Sequence, residues 1–297
     1  MVLPPYRPRV PSKIEFRKRD IRIMAAKIRR SPTTLAGLII VIAVLFVTAF
    51  GQYLAPYPED YYAIHPEKTF LPPCSAHPFG TDELGRDVLS RVILGAKVSV
   101  VVGVSVVILS VLIGTPVGLL AGYCGGKFET VIMRITDIFL SIPSIVLALA
   151  ICAMLAPTLE NAVLALTVGW WAWYSRLGYS LAVTLKNNDY ILALKGMGAS
   201  SWYIIFKEMM PNVIPILAVK ATLDVGYAIL AEAILGFLGF GVKPPTPEWG
   251  TMLSQARIHM PDVWWMATFP GIAIFITVMG FNLLGDGLRD VLDVTEQ

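Results

Sequence analysis

Residues 98–122, VSVVVGVSVVILSVLIGTPVGLLAG, form one apolar run without a charged side chain. Roughly 20 helical residues cross the ~30 Å hydrocarbon core of a bilayer, so this stretch reads as a membrane-spanning helix. Glycines at 114, 118, 122 and 126 recur every four residues and line up on one helix face, where a neighbouring backbone can come close. Pro116 inside the run predicts a bend, as Pro143 and Pro215 do in two later runs.

Five further stretches are apolar over a similar length, which gives predicted spans at 33–53, 98–122, 129–154, 161–184, 212–238 and 266–288. Composition agrees: 56% of residues are hydrophobic and 15% charged, against about 25% charged in soluble domains. The fold class is therefore an all-α integral membrane protein with six transmembrane helices. The net charge of +3 conceals an asymmetry, because residues 1–31 hold ten of the 24 basic side chains and two of the 21 acidic ones, leaving 14 against 19.

That basic leader, Arg7 through Arg30, puts the amino terminus in the cytoplasm by the positive-inside rule. Six crossings return the carboxyl tail to the same side. The expected organisation is a basic cytoplasmic segment 1–32, a first helix 33–53 and an extracytoplasmic loop 54–97. A core 98–288 follows, with a cytoplasmic loop 189–211, an outer loop 239–265 and a tail 289–297. Leu35–Phe50 also resembles the apolar centre of a cleaved signal peptide, but some thirty preceding residues make a long leader for one. The first span is expected to remain.

The segment 189–211, DYILALKGMGASSWYIIFKEMMP, is a long polar interruption between two spans. Gly198 separates two short helix-forming pieces, Tyr190 to Met197 and Ser201 to Met210, and permits the turn between them. Pro211 is expected to end the second piece and Asn212 to cap the next helix. Two such helices make a knob able to move as one body; an ordinary loop containing some helix is the plainer alternative.

Charges inside the fifth span are selective. Lys220, Asp224 and Glu232 fall on one broad face, and each unpaired would cost about 2.5–3.5 kcal/mol at mid-bilayer. They border a translocation path, or Lys220 and Asp224 form an internal ion pair that fixes packing. Catalytic chemistry is not indicated: the nearest approach to a phosphate loop, at 121–128, lacks its first glycine and has Phe128 where a magnesium-binding hydroxyl belongs. His65, His77 and His259 lack metal-type spacing, and Cys74, Cys124 and Cys152 fall at three different depths. No metal site or disulfide is expected. The basic leader beside a membrane span points to anionic lipid, not nucleic acid.

Four segments together carry a resemblance. His77 to Arg91, the knob at 189–212, Glu232 to Pro245 running on to Glu248-Trp249-Gly250, and Asn282 to Asp290 occur in the order found in the second permease subunit of dipeptide and oligopeptide ABC importers. The chain resembles that family over roughly residues 33–293. The resemblance implies a five-helix importer permease core plus an additional N-terminal helix, in the cell membrane. It also implies a second permease subunit as partner in a heterodimer, two ATP-binding subunits that hold ATP and Mg, and an extracytoplasmic substrate-binding protein; this chain itself has no cofactor. The inner knob, with Tyr190, Leu192, Ala193, Leu194, Gly198, Ala199, Ser200 and Pro211, is then the loop that docks on the ATPase. Where the family carries Glu-Ala-Ala, this chain has Leu192, Ala193 and Leu194, so docking would rest on shape and apolar contact. Asp82, Arg86, Asp87, Pro247 and Trp249 are expected to touch the binding protein or to seal the outer mouth.

The function implied is half of a translocation path for di- or oligopeptides. The same machinery could move oligosaccharides or metal chelates. An ion-coupled secondary carrier using Lys220, Asp224 and Glu232 as a relay is a different class, which internal inverted repeats would favour; none is evident. A membrane anchor would leave both the internal charges and the knob without a purpose.

Overall fold

The computed structural model describes residues 31–292, so the basic leader and the last five residues, with the expectations that fall on them, lie outside the described residues. Helix α1, Pro32–Leu54, begins where the Ser31 side chain accepts from the Thr34 N–H, with proline at the first helical position. Two short 3₁₀ turns, Pro58–Tyr61 and Pro66–Lys68, punctuate the loop that follows.

Helix α2, Val88–Cys124, has 37 residues and starts ten residues before the expected position 98. At ~1.5 Å per residue it is about 55 Å long, so its first turns can carry Arg91 and Lys97 beyond the apolar layer. This is why a hydropathy boundary missed them. The helix ends at Cys124, so Gly126 leaves the predicted glycine row; Gly125 and Gly126 have φ of 71° and 63°.

The expected single span 129–154 is two helices, α3 at Gly126–Ser141 and α4 at Ser144–Met154, which meet at 84°. Ile142 is forced into an extended conformation by the proline that follows it, and Pro143 opens α4 as its cap. Pro116 and Pro215 lie inside helices that continue past them.

Helix α5 is Leu159–Leu185, α6 is Asp189–Gly196, and α7 is the single turn Ser201–Tyr203. A π-helical turn, Ile204–Met209, joins α7 to α8, Met210–Phe237. Pro211 therefore does not end a helix. The wider π turn lets the chain pass a residue that has no N–H to donate, and Asn212 does not cap; its side-chain amide donates to the Glu208 carbonyl at 2.6 Å. After α8 come α9, Trp249–Ala256, and α10, Trp265–Leu292.

Among the described residues four helices are long and apolar enough to cross a membrane: α1, α2, the continuous Ser201–Phe237 and α10. The bent pair α3 and α4 makes a fifth if it counts as one span. The 27-residue α5 is long enough yet is not among them, and its buried face carries Thr167, Tyr174 and Ser175. The fold is thus all-α and multi-pass, with an isolated bridge between Thr81 and Asp87 as the only β pairing among the described residues, and with four or five qualifying spans in place of the expected six.

Helix α2 occupies the centre, packed most extensively on α5 and also on α8 and α1; α10 lies against α1 and α8. The α2–α5 seam depends on the absence of side chains. A Cβ at Gly114 would sit 2.2 Å from the Trp171 carbonyl oxygen, and one at Gly118 would sit 2.0 Å from that of Ser175. Two backbones touch directly here, as the every-fourth glycine spacing predicted. The bundle therefore has a loop end, where residues 55–87 and α9 gather, and a knob end, where α6 and α7 project.

Candidate functional site

At the knob end, α6 stops where Gly198 adopts φ +82°, the left-handed conformation that glycine accepts without strain, and the Ala199 N–H closes the turn on the Leu194 carbonyl at 3.0 Å. The Ser200 side chain then accepts from the Tyr203 N–H, which starts α7. Ile191, Ile204, Ile205 and Met209 are fully buried and clamp the pair of helices to the bundle. The opposite side is apolar but open: Met197 is 75% exposed, Trp202 66% and Leu192 50%, and Tyr190, Ala193, Gly198, Ser200 and Pro211 are also exposed. Leu194 and Ala199 are half-buried against the core. The Tyr190 hydroxyl accepts from the Asn212 amide at 3.3 Å, tying α6 to the start of α8. An added Cβ at Gly198 would meet nothing within 4 Å, so conformation, not space, requires glycine there.

In the middle of α8 the Lys220 ammonium lies 2.5 Å from Asp224 Oδ1, and the Tyr174 hydroxyl of α5 donates to Asp224 Oδ2 at 2.7 Å. The carboxylate is buried with two donors, while the Lys220 side chain is 42% exposed. Glu232 stands apart from this pair. It is buried two turns further along, beside Ser99 of α2 and Glu248 ahead of α9. A second cross-helix link joins Arg176 of α5 to Asp137 of α3, and the Tyr179 hydroxyl donates to Glu129.

The loop end is an enclosed polar network. Asp87 caps α2 by accepting from the Ser90 N–H at 2.8 Å and the Ser90 hydroxyl at 2.7 Å, and its other oxygen meets His77 Nδ1 at 3.0 Å. The Asp87 N–H donates to Asp60 at 2.6 Å. Asp82 holds Arg86 Nε at 2.7 Å and Arg91 Nε at 3.4 Å, and Arg91 reaches the Pro245 carbonyl. Trp249 donates its indole N–H to the Val92 carbonyl at 2.9 Å, and Trp265 donates to Thr81 at 3.0 Å. Asp82, Arg86, Asp87, Pro247 and Trp249 are all buried within this single chain. Within the chain these contacts tie the loop to α2, α9 and α10.

Glu248 caps α9, its carboxylate accepting from the Gly250 N–H, from the Thr251 N–H at 2.9 Å and from the Thr251 hydroxyl. Burial pushes this carboxyl up from the ordinary carboxylate range, against the pull of those donors. Asp60 carries no mark in the sequence, and His77 and Glu248 stand out there only as members of longer segments, without these contacts. Asp87 followed three residues later by Ser90 is a helix-cap pattern that could have marked the start of α2; nothing in the spacing signalled the other contacts. Beside the network a cavity of ≈ 910 Å³ opens between the end of α1, the first 3₁₀ turn and α2, with Glu59, Tyr61, Tyr62 and Lys97 among its lining residues.

Long apolar helices, bent at one proline and merging with an exposed knob, define a multi-pass membrane component. Residues 114–294 match the family described as binding-protein-dependent transport system inner membrane component, and residues 21–73 match the N-terminal TM domain of oligopeptide transport permease C. The chain is 44% identical to the probable D,D-dipeptide transport system permease protein DdpC of Escherichia coli (strain K12), over 90% of this chain and 89% of that one. It is 42% identical to the di/tripeptide transport system permease protein DppC of Pseudomonas aeruginosa, over 87% of each. Against the glutathione transport system permease protein GsiD of Pectobacterium atrosepticum identity is 39%, over 90% of this chain and 88% of the relative. The chain belongs to the family of inner membrane components of binding-protein-dependent transport systems.

Proposed function

We propose that this chain is the membrane-spanning half of an ATP-driven importer for di- or oligopeptides, a reading that draws its substrate class from relatives named for dipeptides, di/tripeptides and glutathione. It pairs with a second permease subunit to complete the path, rests on two ATP-binding subunits that supply hydrolysis, and receives substrate from a separate binding protein. Its termini face the cytoplasm, and α5 crosses with the other spans to give six.

One observation carries the mechanism: the exposed apolar knob of α6 and α7 is clamped by Ile191, Ile204, Ile205 and Met209 and runs without a break into α8. When the ATPases close, a knob seated on them moves as one body, and α8 carries that motion to the Lys220–Asp224 pair and onward to Glu232. Asp82, Arg86, Asp87, Pro247 and Trp249 act as the brace of the outer cap against which α8 moves. Gly198→Ile tests the reading in the assembled complex. Isoleucine at φ +82° distorts the turn, so substrate-stimulated ATP hydrolysis should be lost while all subunits still co-purify. Normal coupled transport by this variant would sink the proposal.

A further inference from the structure

Two carboxyl groups meet at the loop end of α8 without a cation. Glu232 is 3% exposed and Glu248 is fully buried, and they lie within hydrogen-bonding reach of one another. Ser99 of α2 turns its hydroxyl toward Glu232 and accepts, at 3.4 Å, from the Trp249 N–H. Glu232 Oε2 has no hydrogen-bond partner. The fit around Glu248 is close: a Cβ at Gly236 would come within 2.2 Å of its Oε2, and one at Gly241 within 2.8 Å.

The groups facing the pair are neutral. From α2 comes Ser99; from α9 come the Gly250 N–H and Thr251. The nearby cations are engaged or directed elsewhere: Arg91 holds Asp82 and the Pro245 carbonyl, Arg257 rests 5.5 Å from the Phe237 ring centroid, and Lys97 and Lys243 are exposed. Two adjacent carboxylates in such surroundings cannot both be ionised. Glu248 accepts from three donors, which favours its ionised form, whereas Glu232 has an orphan oxygen, which favours its neutral form.

We propose that Glu232 and Glu248 form a proton-binding site, in which Glu232 holds a proton and donates it to the Glu248 carboxylate, so that one shared proton fastens α8 to α9 and α2. The ligand is H⁺ alone. Removal of that proton places two negative charges in contact and pushes α9 off the end of α8, which loosens the loop end independently of ATP.

The test uses the purified complex with protons as the only probe. In infrared spectra the carbonyl stretch of a protonated carboxylic acid should be present at neutral pH, vanish on alkalinisation and be absent in Glu232→Gln. The thermal unfolding midpoint of the wild type should fall as pH rises across the loss of that band, and that fall should be much reduced in Glu232→Gln, whose amide can still donate to Glu248. An acid band that survives Glu232→Gln overturns the assignment. So does a midpoint that sodium or calcium, rather than acid, restores, since the site would then hold a metal cation. If the variant fails to assemble, the wild-type titration decides alone: no acid band at neutral pH overturns the proposal, and a band lost together with stability supports it.

Discussion

The loop end of the bundle encloses Asp82, Arg86, Asp87 and Glu248, whereas the knob end leaves Leu192, Met197 and Trp202 in the open. Each is the reverse of what solvent exposure favours for its residue type. Enclosed charges are held by mutual pairing or, for Glu248, by hydrogen-bond donors, so the loop end is over-determined by its own contacts. Open apolar side chains gain little from their own chain, and on the proposed reading they meet another surface. The difference separates stability from coupling: substitutions at the loop end should unfold the protein, and substitutions at the knob end should leave it folded but disconnected.

The largest effect is expected from Asp82→Asn. The shape is kept, but Arg86 and Arg91 lose the carboxylate that lies 2.7 and 3.4 Å from their Nε atoms. A buried ion pair broken from one side costs about 3–5 kcal/mol. The lower end applies here, because Glu83 remains 3.6 Å from Arg86. Thermal unfolding of the purified complex measures this; a midpoint equal to wild type would remove the network from the stability of the loop end.

Next comes pH. Burial raises the folded-state carboxyl of Glu248 above its unfolded value of about 4.3, so above that pH the unfolded chain binds fewer protons than the folded one. Stability is therefore complete below about pH 4.3 as far as this group is concerned, and it falls as pH rises from there through the folded-state value. Glu248→Ala should remove this group's share of the slope, the remainder belonging to the Glu232 proton, and also cost about 1–2 kcal/mol through loss of the α9 cap. A series of unfolding midpoints against pH for both proteins checks it, and an unchanged slope would assign the dependence to another group.

How far the two ends were legible in the sequence follows from the kind of contact each uses. The knob is local: Gly198, the short helical pieces around it and the apolar Leu192 and Trp202 all lie within about twenty residues, so their pattern could be read directly. The helical bundle was legible for the same reason, and the glycine spacing at 114, 118 and 122 anticipated the seam with α5. One expectation failed on a backbone detail. The π turn at 204–209 carries the chain past Pro211, where the absence of an N–H had predicted an end. The loop end joins residues far apart in the chain, such as Asp60 to Asp87 and Arg91 to Pro245, and such pairings leave no period or spacing to find. Lys220 and Asp224 could be paired because they are one helical turn apart; the meeting of Glu232 with Glu248 could not.

The smallest effect on folding should come from Leu192→Ser combined with Trp202→Ser. Both side chains are at least half exposed, and surface changes away from caps and buried groups stay within about 0.5 kcal/mol. Trp202 does stack on Phe206, with ring centroids 4.8 Å apart, so a few tenths of a kcal/mol are at stake there. If these side chains exist to meet an ATP-binding subunit, the double variant should unfold at the wild-type temperature yet fail to retain that subunit during purification. Serine would remove apolar area from such an interface. Two results would erase the contrast between the ends: a large drop in the unfolding midpoint, which would make the knob part of the core, or full retention of the ATPase, which would move the docking surface elsewhere.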